Sequence, residues 1–126
     1  MGAFLRTTIA SIVLILPISA QAQPMSSYQN SCRHVRAEAA TLYAQCRRVN
    51  GTYNDSAIEI RGIANTNGNL QFTSMAQPSS YQLSCRRIRA TGNTLTAACR
   101  RIDGSYHLSS TMIPGIANIN GNLQYQ

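Results

Sequence analysis

The sequence predicts an all-β protein, and three observations carry that prediction. Ser26 to Phe72 recurs as Ser79 to Tyr125 at a constant offset of 53 without a gap, with 28 identities in 47 positions. Within each copy apolar residues alternate with polar ones at period two, the pattern of a half-buried strand. The strand-like runs are separated by Asn50-Gly51, Asn67-Gly68, Asp103-Gly104 and Asn120-Gly121, dipeptides that accept the positive φ of tight hairpins.

At the amino terminus, Arg6, an apolar run from Ile9 to Ile18 and the triplet Ala20-Gln21-Ala22 have the form of a signal peptide. The run is too short for a membrane span. Residues 1–22 are therefore expected to be a cleaved export signal, with the product, residues 23–126, secreted or periplasmic and without a membrane span. All eleven cationic side chains are arginine; cleavage removes Arg6 and leaves a charge of 10 − 4 = +6.

The first copy occupies residues 26–72. In it Leu42, Ala44 and Cys46 alternate with Thr41, Tyr43, Gln45 and Arg47, and the phase recurs at Leu95, Ala97 and Cys99. A second run places Ser56, Ile58 and Ile60 on one side, matched by Ser109, Thr111 and Ile113, with Pro114 at the strand end. The linker covers residues 73–78 and the second copy residues 79–125. A unit of this size has a marginal core, so the copies are expected to complete one another. Pro78 in a short join between near-identical halves also makes strand exchange between chains cheap. Monomer and strand-exchanged dimer are both expected.

Four cysteines allow three pairings, and sequence alone does not choose among them. A duplicated unit most simply carries its own bridge, Cys32 with Cys46 and Cys85 with Cys99, each worth roughly 3 kcal/mol in the chain-entropy model. A zinc site would need close cysteine pairs, which are missing. Four acids and two histidines are also too few for a carboxylate-rich calcium site or a dense metal cluster. No cofactor is expected.

Function should sit in features that both copies share. Glu38, Asp55, Glu59 and Asp103 face Thr91, Leu108, Met112 and Asn50 in the other copy, while His34 faces Arg87 and His107 faces Asn54. No carboxylate pair or general base is duplicated, so no enzyme and no catalytic residue is expected. The shared polar groups are Asn65 and Asn67 with Asn118 and Asn120, Ser27 and Ser31 with Ser80 and Ser84, and the arginine pair after each second cysteine. Such donors and acceptors suit a ligand dense in hydroxyls. Gly68 and Gly121 are read as turn geometry alone, whereas Asn65 and Asn118 are less explained by a turn. Nine of the ten remaining arginines lie within 33–48 or 86–101, a source of basic patches. Nucleic acid is a poor fit, because 2 Phe and 6 Tyr offer few stacking platforms.

Taken together, the chain resembles the cyanovirin-N homology family of lectins. The pattern in the first copy is Tyr28, Cys32, Cys46, Asn50-Gly51-x-Tyr53, Ile58, Ile60 and Asn65-x-Asn67-Gly68-x-Leu70-x-Phe72. The second copy gives Tyr81, Cys85, Cys99, Asp103-Gly104-x-Tyr106, Ile113 and Asn118-x-Asn120-Gly121-x-Leu123-x-Tyr125. The resemblance implies a pseudo-twofold arrangement of triple-stranded sheets and β-hairpins, with strands exchanged between the repeats and an oligosaccharide site, of high-mannose type, near each end. By position the first site would use Ser27, Asn30, Ser31, Arg47, Val49, Asn118, Ile119 and Asn120. The second would use Asn65, Thr66, Asn67, Ser80, Leu83, Ser84, Arg100, Arg101 and Ile102. Leu83 stands where the first site has Asn30, so neutral-glycan affinity is expected mainly at the first. The alternative is a basic adhesive module that binds anionic glycans or lipopolysaccharide through arginine-rich faces.

Overall fold

In the computed structural model, which describes residues 23–126, each repeat forms a triple-stranded antiparallel sheet followed by a hairpin. The expected export signal, residues 1–22, lies outside the described residues. The first sheet is β1 (Cys32–Glu38), β2 (Thr41–Arg47) and β3 (Tyr53–Glu59), and its hairpin is β4 (Ile63–Thr66) with β5 (Asn69–Phe72). The second sheet is β6 (Cys85–Thr91), β7 (Thr94–Arg100) and β8 (Tyr106–Met112), followed by the hairpin β9 (Ile116–Ile119) with β10 (Asn122–Tyr125). A 3₁₀ turn, Tyr28–Asn30 or Tyr81–Leu83, precedes each sheet. In β2 and β7 every second residue is buried, as the period-two pattern requires. Cys32 pairs across the ladder with Cys46 and Cys85 with Cys99, and both pairs are disulfide-bonded.

Neither repeat folds on itself alone. Hairpin β4–β5 lies on the second sheet, where the Leu70 N–H donates to Ser109 Oγ at 2.9 Å. Hairpin β9–β10 lies on the first, where the Leu123 N–H donates to Ser56 Oγ at 3.0 Å and Asn54 Nδ2 to the Gly121 carbonyl at 2.8 Å. One apolar cluster therefore draws on both copies, including Leu42, Ile60, Leu95, Ile113 and Ile116.

At its middle the two 3₁₀ turns send a tyrosine across to the opposite repeat. Tyr28 and Tyr81 are fully buried. The Tyr28 hydroxyl donates to the Gly92 carbonyl, and the Tyr81 hydroxyl to the Ala39 carbonyl at 2.6 Å. Each acceptor lies in the turn between the first two strands of the other copy's sheet. Burial pushes both phenols well above the ordinary tyrosine range.

The hairpin tips correct the reading of their glycines. Asn120 and Gly121 do adopt positive φ, 49° and 92°. A Cβ on Gly121, however, would also sit 2.8 Å from Arg48 Cγ, and one on Gly68 2.8 Å from Arg101 Cγ. These glycines are required by the approach of each hairpin to the other repeat as well as by the turn.

Two places break the pseudo-twofold. The Tyr125 hydroxyl accepts the Arg61 N–H at 2.7 Å and donates to the Glu59 carbonyl at 2.7 Å. At the matching place the residues are Phe72, with no hydroxyl, and Pro114, with no N–H. The linker is also held down: Arg61 donates from Nε to the Met75 carbonyl at 3.0 Å and from its NH2 nitrogen to the Ala76 carbonyl at 2.9 Å. The Gly62 N–H donates to the Gln77 carbonyl at 2.9 Å.

Candidate functional site

Each end of the molecule joins a hairpin tip of one repeat to the 3₁₀ turn and the second-strand end of the other. At the first end, Asn118 on β9 meets Ser31 and Arg47. Its Nδ2 donates to Ser31 Oγ and to the Arg47 carbonyl, both at 2.9 Å, while its Oδ1 accepts the Gly121 N–H at 2.7 Å. Asn120 Oδ1 accepts the Val49 N–H at 2.9 Å. The second end repeats the scheme. Asn65 Nδ2 donates to Ser84 Oγ at 2.8 Å and to the Arg100 carbonyl at 3.0 Å, Asn65 Oδ1 accepts the Gly68 N–H at 2.7 Å, and Asn67 Oδ1 accepts the Ile102 N–H at 2.9 Å.

Of the sequence-derived residues, these bonds join Asn118 and Asn120 to Ser31, Arg47 and Val49 at the first end and Asn65 and Asn67 to Ser84, Arg100 and Ile102 at the second, and their roles divide. Asn65 and Asn118, less explained by a turn in sequence, close their own hairpin and fasten it to the other repeat with both amide hydrogens and one lone pair of the oxygen. Arg101 belongs with them: it lies 2.8 Å from His107 Nδ1 and its Cγ packs at Gly68. Its counterpart Arg48 donates to Asn54 Oδ1 at 2.8 Å.

What remains open to a ligand is a second set of groups. Among the described residues the side-chain amides of Asn30, Asn67 and Asn120 keep their NH2 groups free, and the guanidiniums of Arg47 and Arg100 are exposed. The hydroxyls of Ser31 and Ser84 each accept one bond and retain a hydrogen to donate. Ser27, Ser80, Thr66 and Ile119 are exposed at the same ends, and the backbone N–H of Ser27 and of Ser80 bonds to Ile116 and Ile63, which fixes each 3₁₀ turn against the opposite hairpin.

At the second end Asn67, Ser84 and Arg100, with Arg101 beside them, border a cleft of about 370 Å³. Its walls include Asn65, Asn67, Leu83, Ser84, Arg100, Ile102 and Tyr106. Leu83 and Ile102 are 82% and 91% exposed, so the cleft offers apolar edges beside its donors. No carboxylate lines it; Asp103, held below the usual carboxylate range by the Ser105 hydroxyl and N–H, is turned onto its own loop.

Tyr106 is the site residue that the sequence did not single out. Its signal was present, because the ladder sets Tyr106 opposite Arg100 and Tyr53 opposite Arg47. Another cleft, about 320 Å³, lies on the first sheet around His34, Arg36, Tyr43, Asp55 and Ser56, the last of which accepts the Leu123 N–H of hairpin β9–β10. Of its lining only Arg36, Ala44 and Ser56 recur in the second copy, as Arg89, Ala97 and Ser109.

The family model described as the CVNH domain matches residues 28–124. Among solved structures, the CVNH protein of T. borchii is 27% identical with a TM-score of 0.66, over 79% of this chain and 99% of that one. A MoCVNH3 variant in complex with (N-GlcNAc)4 is 21% identical with a TM-score of 0.66, over 80% of this chain and 97% of that one. Microvirin in complex with mannobiose is 20% identical with a TM-score of 0.61, over 81% of this chain and 100% of that one.

Proposed function

Because this chain belongs to the CVNH domain family, we propose that it is a carbohydrate-binding lectin that recognises oligosaccharides, mannose-type among them, without catalysis. The observation that carries the proposal is the division of labour at each end. One asparagine spends both amide hydrogens on holding the site together, while amide and guanidinium groups of neighbouring residues are exposed at the same end. A pyranose needs such donors and acceptors for its hydroxyls and an apolar edge for its ring hydrogens. Two similar folds were solved with (N-GlcNAc)4 and with mannobiose, which favours an oligosaccharide over a single sugar. With Arg100 in its wall and no carboxylate, the cleft at the second end offers charged and neutral donors but no anionic acceptor.

The sites differ in polarity at two positions, Asn30 against Leu83 and Ile119 against Thr66, and exchanging the first of these separates them. Asn30→Leu is expected to weaken mannobiose or N-acetylglucosamine tetramer binding about tenfold, the loss of one well-made hydrogen bond to a desolvated hydroxyl. Leu83→Asn is expected to strengthen the second site. Isothermal titration of both variants checks this. If Leu83→Asn abolishes binding and Asn30→Leu leaves it intact, affinity resides at the second cleft instead.

The proposal includes export by residues 1–22 and action outside the cytoplasm. It also includes a monomer in slow exchange with a strand-swapped dimer. The Arg61 contacts to the linker oppose the exchange, so Arg61→Ala is expected to raise the dimer fraction several-fold at high concentration. Size-exclusion chromatography that finds only monomer in both forms would refute the exchange.

A further inference from the structure

The two triple-stranded sheets share their strand register and three arginines on the outward face, and differ in what surrounds those arginines. Across the outward face of the first sheet, Arg33 lies in register with Gln45 and Asp55, Arg36 with Tyr43 and Ala57, and Glu38 with Thr41 and Glu59, with Arg47 and Tyr53 at one end. Three arginines there meet three carboxylates. On the second sheet the corresponding rows are Arg86, Ala98 and Leu108; Arg89, Thr96 and Ser110; and Thr91, Thr94 and Met112, with Arg100 and Tyr106 at the end. Every carboxylate of the first face is replaced: Glu38 by Thr91, Asp55 by Leu108 and Glu59 by Met112. The change runs one way, and two of the three replacements are large and apolar. Leu108 is 64% exposed and Met112 38%. Arg87 adds a further exposed cation in the β6 bulge, where the first copy has His34.

We propose that the outward face of β6–β8 is a docking surface for an anionic lipid bilayer, adjoining the cleft at the second end and apart from the first. Exposed guanidiniums alone would fit any polyanion. Leu108 and Met112 among them decide the class, because an apolar side chain gains nothing from a hydrated sulfated polymer but can enter the headgroup boundary of a bilayer while arginines pair with lipid phosphates. Arg86 is stacked over the Tyr106 ring at 3.8 Å, which keeps a cation and an aromatic edge together at the border with the second cleft. A lipid-docked molecule would retain its first end clear of the surface for glycan.

The test is co-sedimentation of the purified protein with vesicles of phosphatidylglycerol and phosphatidylcholine against vesicles of phosphatidylcholine alone. Partitioning is expected to be at least tenfold greater with the anionic lipid, and to fall with added salt. Arg87→Gln with Arg89→Gln is expected to weaken it roughly 25-fold. Leu108→Ser with Met112→Thr, which leaves the charge unchanged, is expected to weaken it about tenfold, with mannobiose titration and melting temperature unaltered. Leu108→Asp with Met112→Glu, the first copy's own residues, is expected to abolish it; should that variant misfold, the Ser and Thr variant carries the test. Equal partitioning to both vesicle types overturns the proposal. So does unchanged partitioning of the Ser and Thr variant, which would make the face a binder of charge alone, with heparin competing as well as lipid.

Discussion

Alanine in place of Tyr28 is expected to cost about 3–5 kcal/mol, and Tyr81→Ala a similar amount, because each removes a fully buried aromatic ring. Phenylalanine at either position should cost about 1 kcal/mol, leaving the Gly92 or Ala39 carbonyl without its phenol donor. The same phenols set an alkaline limit. Their folded pKa values lie above the unfolded value of about 10. The contribution of these two phenols should therefore be constant from neutral pH to about pH 10 and fall above it, as the unfolded chain releases protons that the folded chain retains. Urea melts from neutral to alkaline pH check both statements. If the Tyr28→Phe, Tyr81→Phe double variant loses stability above pH 10 as steeply as the parent, the burial argument fails.

Asn118→Ala is expected to lower stability by about 2–4 kcal/mol, since the amide makes three hydrogen bonds and one of them satisfies the N–H of buried Gly121. Glycan affinity at the first end should fall at least tenfold with it, through displacement of the hairpin tip that carries Asn120. Asn118→Asp should recover part of the stability, because it restores the acceptor for Gly121 but not the donors to Ser31 and Arg47. Thermal melts run beside glycan titrations distinguish the roles. An Asn118→Ala protein that melts like the parent and no longer binds glycan would show that Asn118 reads the ligand directly.

The fold was legible because duplication doubled every signal. Alternation in Leu42 to Cys46 and Leu95 to Cys99 placed two strands in the same phase, and the Asn-Gly and Asp-Gly pairs marked turns that the structure contains. The placing of a candidate site at each end came from the family resemblance and not from the offset. What the residues do there was less legible, because a shared asparagine has the same appearance in sequence whether its amide faces a sugar or a neighbouring carbonyl. Asn65 and Asn118 belong to the second kind. The differing sheet faces were written in the aligned copies as Asp55 against Leu108 and Glu59 against Met112. They acquired meaning only when the ladder put those positions on one surface with Arg86 and Arg89.

Two nearly identical hairpins create a problem of address, because either could dock on either sheet. Arg61 and Tyr125 resolve it. With β4–β5 on the first sheet, Phe72 would face Arg61 and leave a partly buried N–H unpaired, at a cost of about 1–3 kcal/mol. With β9–β10 on the second, a phenol would face Pro114, which has no hydrogen to give. The chain therefore distinguishes its own halves by a donor and an acceptor that occur once each, and a hybrid built from two first copies or two second copies would inherit the mismatch at both joints.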